Sequence, residues 1–479
     1  EVNITYKPAE TGTTLKAQVK RDTAEEITRE DKETADEETR FIYDGAVKAT
    51  IKTTEANFYT DDVIITVKKD GSEIWNGAVS SKETIKDGDT TIAEFSDWTI
   101  DKENDTATCE IIMQADGDYE ISIEYKDRSL NELTYDTEEG NSGEYTGNVE
   151  NSIYTSNIMT VDTTVPTVEV TYDNKDVNNA SYYKADRTAT IRIKDRNFRP
   201  GEVNFVVTAK DVQEKESDTY AYSQLTDWSD WHQTEDEDYT WEATVPFDED
   251  ANYDISLGYT DLAGHSLEED YSQSFTVDKT APDTDKMTVS YSTPLKERIL
   301  NAITFGYYKE SVEITIKAED LTSGIDYLTW TYVKETGASN TNVAEKTEVI
   351  SRDALEFTED GKTATGHFTL KATETEQYRG SISFTATDMA GNTSNQKSDN
   401  ERINVVDNIS PTRVVSYSTA KQVVDATTLK TKSSYQYDSE NTNSILYYDG
   451  DVKVTLRVTE ANFYAEDVNV YVNGVRTNP

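Results

Sequence analysis

The chain has 479 residues, too many for a single hydrophobic core, and predicts about three or four folding units. Its 46 Lys and Arg stand against 93 Asp and Glu, and the resulting formal charge of −47 repels phosphate, which excludes nucleic acid and anionic membranes as natural partners. Low hydrophobicity at this charge would suggest disorder, but the 30 Tyr and many β-branched residues suit half-buried pleated surfaces, so a soluble all-β chain is expected.

Glu1 opens directly on the strand-like EVNITY, and no run of eighteen apolar residues follows anywhere. A signal peptide or membrane anchor is therefore read as absent or removed, and the chain as an excised piece of something longer. Residues 14–40 come next, and they have no counterpart of similar length in two of the three later repeats. Leu15, Val19 and Ile27 form a thin apolar stripe there, compatible with a short helix lying on a sandwich, with a polar loop as the alternative. Tyr43 then leads into VKATIK, where Val47, Ala49 and Ile51 alternate with Lys48, Thr50 and Lys52. That period of two describes a strand with one core face and one wet face.

TEANFYTDDV at 54–63 returns almost unchanged as TEANFYAEDV at 459–468. Asn57, Asn197 and Asn462 each stand fourteen residues after a repeated Tyr and are followed by Phe and a further strand. A sharp turn between two core strands is the expected role of these asparagines, with Phe58 and Phe463 covering the sandwich end. TATCEIIM and DYEISIEYKD form a later strand pair, with Cys109 alternating onto the inner face beside Ala107, Ile111 and Met113. Tyr119, at the head of the second of these strands, is a candidate for a corner hydrogen bond of the kind found in immunoglobulin sandwiches. Turns follow at DRSLN, DLAGH and DMAGN, built from residues that tolerate positive φ or bond their own backbone.

VDTTVP (161–166), VDKTAP (277–282) and VDNISP (406–411) divide the chain. Asp162, Asp278 and Asp407 head the linkers, and Pro166, Pro282 and Pro411 close them with a residue that favours an edge-entering strand. The expected units are 1–161 (with the 14–40 insertion), 162–277, 278–406 and a partial fourth at 407–479. About seven strands per complete unit, with turns at this spacing, read as immunoglobulin-type Greek-key sandwiches in an extended rod.

Taken together and in fixed order, [ED]-x-N-F before an acidic-Val strand, D-x-A-G-[NH] and V-D-x-[TI]-x-P resemble tandem bacterial immunoglobulin-like domains of Gram-positive surface proteins. The third repeat departs by reading KAEDLTSGIDY in place of the Asn-Phe phrase, and the first reads DRSLN for the glycine turn. The resemblance implies a non-catalytic stalk or adhesin segment, extracellular and either attached to the cell wall or secreted. Host glycoprotein, immunoglobulin or glycan are the partners it suggests, for a monomeric rod without membrane insertion. The accessory region of a large secreted glycan-degrading enzyme is the alternative. Residues 14–40 and the Trp-rich stretch containing Trp228 and Trp231 are the candidate contact surfaces.

Catalytic signals are lacking. His232, His265 and His367 form no metal-spaced pair, and no nucleophile elbow, zinc-protease helix or phosphate loop occurs. No cofactor is expected. Calcium at the junctions is weighed on KDGDTT, QADGDY, YYDGDV and the linker aspartates, but no window satisfies the EF-hand spacing, so a solvated acidic surface is the expected reading. A Lys–Asn isopeptide bond, known in some Gram-positive sandwich domains, would need a lysine buried beside an asparagine and a carboxyl group.

Overall fold

The computed structural model describes all residues except 1, 21–25, 28–38, 132, 134–146, 151–152, 212–218, 222–224, 293–295, 301–302, 337–341, 400–401, 419–421, 426–433, 437–445, 449 and 478–479. Strands dominate, joined by turns and single 3-10 turns, and they build a series of two-sheet sandwiches. In the first, Val2–Pro8, Val47–Thr54, Thr106–Met113 and Thr90–Phe95 lie side by side in one sheet. Opposite them, Val63–Lys69 pairs with Gly117–Tyr125, which pairs with Ile158–Val161. These are the ABED and CFG strand orders of an immunoglobulin sandwich. The same two sheets recur around Arg187–Lys194 and Ala251–Tyr259, and again around Ser311–Glu319 and Ile325–Thr336.

Alternation in sequence becomes burial in space. In Thr106–Met113 every second residue is buried, with Cys109, Ile111 and Met113 fully enclosed. Among the described residues three large, separate cores result, centred on residues such as Ile51 and Ile121, Ile191 and Phe205, and Ile316 and Leu328. Tyr119 closes a corner by donating its hydroxyl to the Ala115 carbonyl at 2.7 Å, and Tyr253 does the same to Glu249 at 2.8 Å. Each phenol thus satisfies a backbone oxygen four residues upstream while its ring fills the core.

The repeated tyrosines and the linkers meet on one parallel strand pair. Ile158–Val161 runs parallel to Thr39–Tyr43, and the later repeats pair Tyr183 with Val277 and Tyr308 with Val406 in the same sense. The next residue is the linker aspartate. Its N–H donates to the tyrosine carbonyl each time: Asp162 to Tyr43 at 3.0 Å, Asp278 to Tyr183 at 2.8 Å, Asp407 to Tyr308 at 3.0 Å. V-D therefore ends one sandwich in a fixed position and delivers a carboxylate to its end.

Several expectations are corrected. The start of 14–40 is no helix: Leu15–Lys20 is a strand antiparallel to Thr39–Tyr43, with Glu26–Ile27 added beyond it. The apolar stripe hid a shorter period, because Leu15, Ala17 and Val19 also alternate. Leu15 belongs to the first core and Trp231 to the second, where Trp231 donates to the Leu225 carbonyl, so neither presents a contact surface. The side chains of Val19, Ile27 and Trp228 lie outside the described residues, as does much of 14–40. Phe58 does pack on Trp98 and Tyr125, but Phe463 is exposed. Among the described residues no lysine is buried, so none is placed for an isopeptide bond.

In the last repeat, Thr412–Ser418 pairs with Lys453–Thr459, and Val454, Leu456 and Val458 on the latter are exposed. The equivalents of Leu456 in the earlier repeats, Ile51, Ile191 and Ile316, are buried. No helix among the described residues is long and apolar enough to cross a membrane.

Candidate metal centres at the seams between repeats

Each linker aspartate uses its two carboxylate oxygens differently. Oδ1 accepts the N–H two residues on, from Thr164 at 3.1 Å, Thr280 at 3.1 Å and Ile409 at 2.8 Å. This is an Asx-type turn that starts the linker. Oδ2 reaches the following repeat. It accepts from Asn197 Nδ2 at the first seam, from the Ser323 N–H at 3.1 Å at the second, and from Asn462 Nδ2 at 2.7 Å at the third. The asparagine of the repeated phrase is thus a clamp on the preceding linker. Asn57, which stands after no such linker here, is exposed.

The acidic residue two positions before each asparagine builds the turn. Glu55 accepts the Asn57 N–H at 2.9 Å and Glu460 the Asn462 N–H at 3.0 Å. The third repeat lacks the phrase and solves the problem differently. Asp320 Oδ1 accepts the N–H groups of Thr322, Ser323 and Gly324 at 3.2, 2.9 and 2.8 Å. Gly324 has φ +73°, and a Cβ there would sit 2.9 Å from the Gly361 carbonyl, so glycine alone fits this nest.

The glycine turn of the following repeat supplies a further carboxylate. Asp261 Oδ1 accepts the His265 N–H at 2.8 Å, and Asp388 Oδ1 the Asn392 N–H at 2.8 Å. The side chain at the same position steadies the other oxygen: His265 Nδ1 lies 3.2 Å from Asp261 Oδ2, and Asn392 Nδ2 donates to Asp388 Oδ2 at 2.9 Å. Asn392 also donates to the Asp278 carbonyl at 2.8 Å, crossing the seam.

Two acidic clusters result. At the first seam, oxygens of Asp162 and Asp261 and a His265 nitrogen lie within 4.8 Å of one another, with Asp195 beside them. At the second, oxygens of Asp278, Asp320 and Asp388 do the same. Relative exposure is 1% for Asp162, 5% for Asp195, 4% for Asp261, 0% for Asp278, 3% for Asp320 and 0% for Asp388, so these are not the solvated acids expected from sequence. Burial, reinforced by the charge of Asp261, pushes Asp195 up to about 7, and burial above all pushes Asp388 up to about 6. Burial likewise raises Asp162, Asp261, Asp278 and Asp320 above the ordinary carboxylate range. Among the described residues none of the six forms an ion pair with Lys or Arg. Clustered carboxylates in this setting must be neutralised by protons or by a cation.

Other contacts lock the same seams. Asp116 accepts from Thr163 N–H at 3.0 Å and from the Thr164 hydroxyl, and Asp250 accepts from Lys279 N–H at 3.1 Å and the Thr280 hydroxyl at 2.5 Å. Ala17 and Ile42 pack against Leu262 and Ala263 of the next glycine turn. At the second seam Asn179 Nδ2 donates to the Met389 carbonyl at 2.9 Å and Asn178 Nδ2 to that of Ala390 at 2.5 Å. Arg196 bridges back to Asp70 at 2.7 Å, and the Tyr307 and Tyr464 hydroxyls meet at 2.5 Å across the third seam. Pro166 and Pro282 are buried and Pro411 is exposed.

The clamp is not legible in the sequence. The linker aspartates and the repeated asparagines both stand out by recurrence, but 35 to 55 positions separate each pair. A lone Asn before Phe reads as a turn, and the acid two residues before it as part of that turn. The recurrence of both once per repeat was the available signal. His265 sits in the turn where sequence placed it, while His232 and His367 are exposed and apart from the clusters.

No family model and no curated protein matches the chain. Similar solved structures are bacterial and rich in β-structure. They include dimeric latent PorU from Porphyromonas gingivalis, at 10% identity and TM-score 0.19 over 84% of this chain and 34% of that one. Native alpha-2-macroglobulin from Escherichia coli spanning domains MG0-NIE-MG1 matches at 10% identity and TM-score 0.17, over 76% of this chain and 92% of that one. A DUF4785 family protein from Legionella pneumophila matches at 8% identity and TM-score 0.16, over 84% and 92%. The chain spans about a third of the PorU chain. At these scores the likenesses carry no argument about function.

Proposed function

We propose that the chain is a non-catalytic segment of a bacterial surface stalk or adhesin, with immunoglobulin-like sandwiches of the Gram-positive surface type joined end to end as a monomeric spacer. The supporting observation is the seam: one linker aspartate tied to both neighbours, three times over, at Asp162, Asp278 and Asp407. A loosely tethered string of domains has no need of such contacts, whereas a spacer that must keep its reach does. Recognition of a host glycoprotein, immunoglobulin or glycan then falls to loops outside the seams.

Small-angle scattering tests the spacer: an elongated particle whose maximum dimension is unchanged by concentration is expected. A profile of independently tumbling domains would rule the reading out. Immobilised immunoglobulin, mucin glycoprotein and a glycan array then test recognition, with the chain lacking 28–38 as the comparison. Turnover of polysaccharide or peptide libraries by the chain itself would replace the reading with an enzymatic one.

A further inference from the structure

We infer that the first two seams are divalent-cation sites, and that calcium is the ion their donors suit. The decisive residue is Asn197, which is 2% exposed. Its Nδ2 donates to Asp162 Oδ2, so the amide stands at the first cluster, yet its Oδ1 is buried with no hydrogen-bond partner. A buried amide oxygen left without a donor, beside carboxylates left without a cation, is what a ligand set looks like before its ion is counted.

The donor chemistry selects the ion. The second cluster offers only oxygen, from Asp278, Asp320 and Asp388. The first sets Asp162 and Asp261 beside His265, with the unpartnered Asn197 amide oxygen and Asp195 adjoining. His265 does not make it a zinc site. Its ring stands where Asn392 stands at the second seam, and its Nδ1, 3.2 Å from Asp261 Oδ2, already engages that carboxylate. Hard oxygen sets of several carboxylates and an amide carbonyl suit calcium, whereas magnesium keeps most of its water. Calcium–oxygen distances of about 2.3–2.6 Å place opposite ligands roughly 4.6–5.2 Å apart, and the clustered atoms lie within 4.8 Å of one another.

Two cationic side chains near the clusters are engaged elsewhere, although the Lys362 charge still partly offsets that of Asp320. Lys362 Nζ is 3.0 Å from both Asp211 Oδ2 and the Thr322 carbonyl, and Arg196 is committed to Asp70. Each site gathers donors from a linker and from the repeat that follows it, so an ion there would fix the linker against that repeat. The inference stands whether or not the chain serves adhesion.

Native mass spectrometry of the full chain, stripped with chelator and returned to calcium, magnesium or zinc, tests it. Two calcium ions per chain are expected, retained in excess magnesium. Asp388→Asn and Asp261→Asn should each lose one ion, and the double variant both. Asn197→Ala, which removes no charge, should weaken the first site at least tenfold and leave the second intact. Should a variant fail to fold, terbium reports on the wild type. Tyr259, whose hydroxyl lies 2.9 Å from Asp195 Oδ2, is placed to sensitise its emission, and calcium should quench that emission by displacement. No calcium retained, equal stoichiometry in wild type and folded variants, or preference for zinc would overturn the assignment.

Discussion

Asn462 donates from Nδ2 to Asp407 Oδ2 at 2.7 Å, joining a repeated phrase to a linker 55 residues earlier. Asn462→Ala removes that donor, and the one directed at Gln377 Oε1 at 3.0 Å, from a partly buried seam. A cost of about 1–2 kcal/mol in local opening is expected. Hydrogen exchange should show it as lost protection in residues 407–411 and 460–464, with the first repeat unchanged.

Arg196→Ala should loosen the first seam in a pH-dependent way. Burial raises Asp70, but the Lys69 hydrogen bond, the Asp118 N–H and the Arg196 charge together outweigh it and leave its pKa below the ordinary value. A carboxyl depressed in the folded state contributes stability above its unfolded pKa, and that contribution is lost as pH falls through the folded pKa. The difference between wild type and variant should therefore be present at pH 6–7 and vanish at strongly acid pH. Because Asp70 is substantially exposed, an effect under about 1 kcal/mol is expected. Thermal melts across pH at low salt would measure it.

Tyr119→Phe and Tyr253→Phe each delete one corner hydrogen bond while keeping the ring. Each should cost about 1 kcal/mol in its own sandwich, since the Ala115 or Glu249 carbonyl loses its donor. Calorimetry of single and double variants should give additive losses, as the two corners lie in separate cores.

Cys109 should resist thiol reagents. Burial pushes its thiol up to about 11, above the unfolded value near 9. Little labelling is expected at pH 8 without denaturant and complete labelling with it. The folded state disfavours the thiolate, so Cys109 subtracts stability only as pH rises above about 9.

Ile191→Ala and Ile316→Ala empty fully buried sites and should cost about 2–5 kcal/mol each. Leu456→Ala, at the equivalent position, should cost under about 1 kcal/mol because Leu456 is 47% exposed. Denaturant unfolding of the three variants would separate them.

Much of the sandwich was legible because strand burial follows period two. TATCEIIM announces its inner face, and the burial of Cys109, Ile111 and Met113 follows. The segment after Leu15 misled because three apolar residues fit a sparse helical stripe while Ala17, too small to count, completed a strand. The clusters were half legible: linker aspartates stood out, but the acid after each core strand looked like one of many in a chain of 93 acids. Only three-dimensional convergence separates Asp195 and Asp320 from those on the surface, since burial is set by the neighbouring repeat and not by local pattern.

The linker aspartate also bears on how such a chain can change its length. Each unit carries the donating asparagine or nest near its start and the accepting aspartate just past its end. Duplicating or excising a whole unit therefore leaves the aspartate contacts matched, even where seam-specific partners such as Arg196 and Asp70 are exchanged, whereas inserting one residue between Val161 and Asp162 would pull the carboxylate away from Asn197. The aspartate contact tolerates changes in copy number far better than changes in linker length, so the chain can lengthen or shorten only in steps of one sandwich.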